Sequence, residues 1–221
     1  MYQYIFSIVL FSFMQTNVDK PKKILFFGDS ITEGAVQEGG YISLMNNRLE
    51  ENKLKEAYEL FGSGIGGNKV YDLFFRMEKD VYTQNPDIVV IWIGVNDVWH
   101  KSSFGTGTDI DKFELMYADI IHRLQKKQIQ VYCCTPATIG EKTDYSNAQD
   151  GDLNEFSKVI RKVAAENKAA VIDFRAAFLA YNLKHNKDNL YQGLLTNDGV
   201  HLNAAGSKLV SDLMWDTLIK R

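Results

Sequence analysis

An α/β fold, a five-stranded parallel sheet sandwiched between helical layers, is the class that this 221-residue sequence predicts. Three observations point there. From residue 22 onward, short apolar runs alternate with longer amphipathic ones. The run DIVVIWIG at 87–94 is continuously apolar, as suits a parallel strand covered on both faces. Four polar or glycine-rich turns follow the strand-like runs or lead into the last helix. Alternation of strand and helix with crossover connections leaves few other topologies.

The elements follow in order. KILFFG (23–28) reads as the first strand, and YISLMNNRLEENKL (41–54) sets Ile42, Met45 and Leu49 at helical intervals. AYELFG (57–62) is a second strand, followed after a glycine-rich turn by a helix over about 69–79. The run at 87–94 is the central strand, and FELMYADIIHRLQKK (113–127) is an amphipathic helix. QVYCCTP (130–136) is a fourth strand stopped by Pro136, LNEFSKVIRKVAAENK (153–168) a helix, and AAVIDF (169–174) a fifth strand. NAAGSKLVSDLMWDTLIK (203–220) closes the chain as a helix that Asn203 can cap. Five strands and five helices make a single domain over 21–221.

Residues 1–20 stand apart. They carry no charged side chain before Asp19, and the apolar stretch from Ile5 to Met14 is too short to span a bilayer but has the length of a signal-peptide core. The expectation is a leader sending the protein to the periplasm or outside the cell. The alternative is a cytoplasmic protein with this segment packed on the domain, since no Lys or Arg precedes the apolar run and no A-x-A site follows it.

With 25 Lys and Arg against 28 Asp and Glu, a formal charge of −3 makes no electrostatic case for nucleic acid or an anionic membrane as partner. A small molecule or a glycan fits better, and nothing predicts stable membrane insertion of the domain. Cys133 and Cys134 are adjacent in a strand and point to opposite faces, so no disulfide is expected. His100, His122, His185 and His201 show no ligand spacing with the cysteines, so no metal is expected.

Parallel sheets gather function outside the carboxyl ends of their strands. The four turns that this rule brings to one edge are GDSITEG (28–34), GSGIGGN (62–68), GVND (94–97) and TNDGVHLN (196–203). They hold the parts of an acyl-transfer site. Ser30 follows the first strand directly, but a serine needs a base to take its proton. His201 is the candidate base, and Asp198, three residues earlier, can hold its imidazole in the productive tautomer. The backbone N–H groups of Ser30 and Gly67 and the side-chain amide of Asn96 are the candidate oxyanion donors, each of a kind that supplies about 3 kcal/mol. Because His201 must be neutral to act, kcat/KM is expected to fall on the acid side of the histidine range. Trp99, His100 and Phe104, in VWHKSSFGTGT (98–108) just after the Asn96 turn, are candidates for the wall of a substrate cleft, as is the stretch 185–195. Asp29 is expected to bond within its own turn, Glu33 to sit at a helix start, and Asp97 to brace the Asn96 turn.

In this order the four blocks resemble the GDSL (SGNH) esterase and lipase family, matched from about residue 22 to the C-terminus. The resemblance implies a flavodoxin-like three-layer α/β/α fold, a Ser30–His201–Asp198 triad, and cofactor-free hydrolysis of carboxylic esters. Short acyl or acetyl groups on carbohydrates or small molecules are the preferred substrates; a lysophospholipase or thioesterase, or an inactive carbohydrate-binding relative, is the alternative. Two departures are visible: Ile31 replaces the leucine of the first block, and Ser63 stands where the second commonly has asparagine. An α/β-hydrolase is disfavoured, because no G-x-S-x-G elbow is present and the acid lies three residues before the histidine. Gly62, Gly64 and Gly67 match the dinucleotide fingerprint literally, but no acidic residue stands at the end of the next strand to bind a ribose.

Overall fold

The computed structural model describes residues 20–220, so the leader expected at 1–20 falls, except for Lys20, outside the described residues. The strands β1 (Lys22–Gly28), β2 (Tyr58–Gly64), β3 (Ile88–Trp92), β4 (Gln130–Cys134) and β5 (Ala170–Ile172) form one sheet, parallel throughout, in the order β2-β1-β3-β4-β5. The described residues form eight α-helices: α1 (Ser30–Gly34), α2 (Tyr41–Glu51), α3 (Val70–Asp80), α4 (Val95–Ser103), α5 (Ile110–Lys126), α6 (Asp150–Glu166), α7 (Phe174–His185) and α8 (Ala204–Leu218).

Hydrophobic patterning explains the layering. All five residues of β3 are buried, as its unbroken apolar run requires, and each fully buried Val or Ile there removes apolar surface worth about 1.5–3 kcal/mol. α5 buries Phe113, Tyr117, Ile120, Ile121 and Leu124, one stripe at helical spacing. α3, α5 and α6 pack side by side, and α2 packs on α8. Right-handed crossovers put these two groups on opposite faces, because the chain steps one way from β1 to β2 and the other way from β2 onward. Among the described residues no helix is long and apolar enough to cross a membrane.

Three helices exceed the sequence expectation. The turn after β1 is itself the short helix α1, and part of the expected loop 98–108 is α4. The strand expected over 169–174 stops at Ile172, because the Asp173 side chain caps α7 by accepting from the Ala176 N–H at 3.1 Å. α7 buries Phe174, Phe178 and Asn182, a stripe every fourth residue that one polar position and an exposed Leu183 blur in the sequence.

Register positions the site. Gly28 pairs with Gly64 on one side and with Trp92 on the other, so the turns leaving β1, β2 and β3 open side by side. The chain reverses direction about β1, which makes this edge the switch point of the sheet.

Candidate active site

Ser30 is the first residue of α1, directly beyond the β1 corner. Asp29 caps that helix: its Oδ1 accepts from the Ile31 N–H at 3.0 Å, as its own-turn bonding predicts. The Asp29 carboxyl is buried, and burial pushes it up to about 7 against the Ile31 hydrogen bond, with the nearby Asp97 charge adding to the rise. Glu33 lies in the same short helix.

The chain segment between α7 and α8 carries Asp198 and His201, the candidate acid and base. An antiparallel bridge between Thr196 and Leu202 and a hydrogen bond from the Asn197 N–H to the His201 carbonyl (2.8 Å) close it into a tight loop. Within it, Asp198 Oδ1 accepts from the backbone N–H groups of Val200 (2.9 Å) and His201 (2.8 Å), leaving Oδ2 for His201 Nδ1 at 2.7 Å. A carboxylate can only accept, so Nδ1 carries the hydrogen and Nε2 presents its lone pair. Nε2 lies 2.9 Å from Ser30 Oγ. Partial burial alone would raise the Asp198 carboxyl, but the His201 side chain and the two N–H groups outweigh it and hold the carboxyl below its ordinary range. The sequence separation of 171 residues between serine and histidine is thus closed into one relay, Ser30–His201–Asp198.

The oxyanion candidates lie on the neighbouring turns. A Cβ on Gly66 would lie 4.0 Å from Ser30 Cβ, so the 66–67 turn abuts the serine, and Gly67 takes a left-handed φ of +75° that a glycine accommodates without strain. The backbone N–H groups of Ser30 and Gly67 find no acceptor among the described residues. Asn96, buried near the start of α4, gives one amide hydrogen to the Asn68 carbonyl at 3.1 Å, which orients the group and leaves its second hydrogen available. Asp97 braces more than its own turn: Oδ1 accepts from the Val70 N–H (3.2 Å), tying the Asn96 turn to the start of α3. Burial pushes the Asp97 carboxyl up to about 6, against the nearby Thr108 hydroxyl, the Val70 hydrogen bond and the charge of Lys69.

Arg76 on α3 joins the first two turns. Its guanidinium donates to the carbonyls of Gly28 (2.7 Å) and Ser63 (3.0 Å), to Ser63 Oγ (2.8 Å), to Asp80 (2.6 Å) and to Asn68 Oδ1 (2.8 Å). This accounts for Ser63, whose hydroxyl serves the arginine. The glycine pattern around it has a packing cause as well: a Cβ on Gly64 would overlap the backbone nitrogen of Glu33 in α1. Lys69 is a buried cation that sequence reasoning missed; its Nζ donates to the Gly67 carbonyl at 3.3 Å. The only sequence signal was a lysine directly after the glycine turn.

α4 carries Trp99 and His100, and Phe104 follows directly as its C-cap. Trp99 meets the His201 ring edge-on at 6.2 Å between centroids, and His100 lies against the oxyanion turn, its Cε1 3.7 Å from where a Gly67 Cβ would be. Burial, helped by the Lys69 charge, holds His100 below its ordinary pKa. Phe104 is 70% exposed and packs edge-on against His100 at 4.9 Å. Ser30 and His201 also line a recess of about 150 Å³, together with Ile31, Ala35, Tyr41, Leu202 and Ser207. His122 and His185 are exposed and outside the site, and Cys133 and Cys134 are buried free thiols. Among the described residues no three His, Cys, Asp or Glu side chains cluster as metal ligands.

Known proteins share this fold. The chain is 57% identical to an acetyl xylan esterase of known crystal structure, AlAXEase, over 89% of this chain and 100% of that one, with a TM-score of 0.88. It is 29% identical to an acetylxylan esterase of Geobacillus stearothermophilus, over 86% of this chain and 90% of the relative. Two structures of Axe2, an acetylxylan esterase from that organism, match with TM-scores of 0.78 at 25% identity, over 89% of this chain and 94% of theirs; they are catalytic mutants in which a serine and a histidine, respectively, are replaced by alanine. Residues 26–209 match the GDSL-like lipase/acylhydrolase family, and with four motif turns assembled at one sheet edge the chain belongs to that family of carboxylic ester hydrolases.

Proposed function

We propose that this protein is a serine esterase that removes acetyl groups from acetylated carbohydrates, with Ser30 as nucleophile, His201 as general base and Asp198 as its orienting partner. The observation that carries this reading is the relay from Ser30 Oγ through His201 to Asp198, with contacts of 2.9 and 2.7 Å. Ser30 Oγ attacks the ester carbonyl carbon while its proton passes to His201 Nε2. The carbonyl oxygen becomes an oxyanion held by the N–H groups of Ser30 and Gly67 and the Asn96 amide. Collapse breaks the bond to the sugar oxygen, which takes the proton from His201 and leaves as a hydroxyl, with an acetyl group remaining on Ser30. A water activated by His201 then releases acetate and restores the serine.

Two features favour a short acyl group on a sugar over a lipid chain. The recess beside Ser30 is about 150 Å³, well below the roughly 300–1,000 Å³ of pockets that hold drug-sized ligands. Trp99 and Phe104 supply the flat apolar faces on which a sugar ring stacks. The 57% identity to an acetyl xylan esterase supports the same substrate class.

The test is a series of p-nitrophenyl esters from acetate to octanoate, with acetate release from acetylated xylo-oligosaccharides measured alongside. Turnover should be greatest on acetyl esters, and Ser30→Ala should lower it by about 10⁴-fold or more while the protein stays folded. A rate that climbs with chain length, with no acetate from the oligosaccharides, would replace this reading by a lysophospholipase or thioesterase; full activity in the Ser30→Ala variant would remove the nucleophile.

A further inference from the structure

Glu141 lies outside the four motif turns, on the segment that leaves β4, yet its side chain is fully buried against the loop carrying Asp198 and His201. Its Oε1 accepts from the backbone N–H groups of Leu195 (2.8 Å) and Thr196 (2.6 Å) and from Thr196 Oγ1 (2.7 Å), and its Oε2 accepts from the Leu194 N–H (2.8 Å). All four partners are donors, and three of them are main chain. Thr196 Oγ1, oriented by giving its hydrogen to Glu141, accepts in turn from the Gly199 N–H at 3.0 Å. The Gly199 carbonyl is held from the same segment, by the Gly140 N–H at 2.8 Å. Gly199 stands between the acid and the base, and both of its backbone polar groups are therefore clamped by the Gly140–Glu141 segment.

That segment is itself anchored. The Glu141 N–H donates to the Tyr191 carbonyl (2.8 Å), the Glu141 carbonyl accepts from Asn186 Nδ2 (2.7 Å), and the Arg175 guanidinium holds the Ala137 carbonyl (3.2 Å). Gly140 and Gly199 have φ values of +91° each, and the Tyr191 ring covers both where a Cβ would stand. A path of buried hydrogen bonds thus runs from the end of β4 to the two residues that serve Ser30.

We propose that Glu141 is a positioning residue: acting through Thr196 and Gly199, it sets the Asp198–His201 pair at hydrogen-bonding distance from Ser30. The proposal rests on the reading of that pair as the acid and base of an esterase. The carboxylate is suited to the task because two oxygens can gather four donors into one fixed fan, which an amide, having a single acceptor oxygen, cannot do. A displacement of about 1 Å in a catalytic group can cost about 10²-fold in rate, so a loop with no strand beneath it requires such a clamp.

The experiment compares wild type with Glu141→Ala, Glu141→Gln and Thr196→Val. It measures kcat and KM on p-nitrophenyl acetate, the melting temperature, and the downfield proton resonance of His201 Nδ1–H bonded to Asp198. Glu141→Ala should lower kcat by about 100-fold with KM within about twofold of wild type, and should lose the downfield resonance below its melting temperature. Glu141→Gln keeps one acceptor oxygen and should recover about tenfold of that loss; Thr196→Val, which removes the hydroxyl bonded to both Glu141 and Gly199 but leaves the three main-chain donors to Glu141 in place, should lower kcat by about tenfold. A folded Glu141→Ala protein with wild-type kcat and an intact resonance overturns the proposal. If that variant does not fold, Thr196→Val decides: wild-type kcat and resonance in it overturn the proposal equally. An inactive wild type that nonetheless loses its resonance on Glu141→Ala would leave the clamp standing and defeat the esterase reading instead.

Discussion

The two halves of the site are built by opposite means. Ser30, Gly67 and Asn96 lie on turns that spring directly from β1, β2 and β3, whose ends are in register at Gly28, Gly64 and Trp92. Asp198 and His201 lie in a loop between two helices, with side chains 47% and 40% exposed. On the first half the sheet does the positioning, and Arg76 and Asp97 only tie adjacent turns together. On the second half no strand lies underneath, and side-chain to main-chain hydrogen bonds take its place, from Asp198 within the loop and from Glu141 across to it. A parallel sheet presents several chain ends at one edge as a consequence of its register, whereas an irregular loop of defined shape must be braced residue by residue.

The contrast can be broken most strongly at the base. His201→Ala removes the group hydrogen-bonded to Ser30 Oγ and should lower kcat/KM on p-nitrophenyl acetate by about 10⁴-fold or more. Asp198→Ala should cost less, about 10²–10⁴-fold, because the His201 ring keeps its contact with Trp99. Equal losses in the two variants would mean that Trp99 contributes nothing to holding the imidazole.

Next comes the strand-built half. Arg76→Ala should lower the unfolding free energy by about 3 kcal/mol, read as a shift of the denaturation midpoint at constant slope, because it strands the mostly buried Asp80 carboxylate and four further acceptors. Arg76→Lys should restore little, since an ammonium cannot span Gly28, Ser63 and Asn68 with one planar fork. A stability loss within about 0.5 kcal/mol would show that the register of β1 and β2 holds these turns without the arginine.

The smallest effect concerns pH. The Asp29 carboxyl, raised from 3.8 to about 7, retains its proton in the folded state over a range where the unfolded chain has lost it. The folded state therefore binds more protons between about pH 4 and 7, and this group's contribution to stability is full below that window and lost as pH rises through it. Asn at position 29 keeps the acceptor that caps α1 and cannot ionise. Asp29→Asn should therefore raise the melting temperature at pH 8 relative to wild type, with the gap narrowing toward pH 5. A gap independent of pH would show that the Asp29 charge is not what burial opposes.

Legibility in the sequence divides along the same line as the construction. The strand-built half could be read because each functional residue follows an apolar run that ends in glycine, so that one rule about strand carboxyl ends brought Ser30, Gly67 and Asn96 together. α4 and α7 could not be read so easily: α4 begins within a motif turn and ends among Ser and Gly, and the buried stripe of α7 includes Asn182. Arg76 and Lys69 left no motif, since an arginine on an amphipathic helix is ordinarily a solvated charge; only the packing of α3 across β1 turns it inward.

The sequence by itself determined the class of fold, the order of the strands along the chain, and the residue types of the site, because periodicity and turn chemistry are local and survive without the rest of the molecule. The tertiary structure alone decided that His201 Nε2 stands 2.9 Å from Ser30, that Arg76 ties two turns together, and that Glu141 binds the loop of Asp198 and His201. Those are contacts between segments dozens to well over a hundred residues apart or across helix faces, and their partners are mostly backbone groups. Every residue offers the same N–H and C=O, so no pattern of side chains along the chain can announce which of them a buried carboxylate or guanidinium will meet.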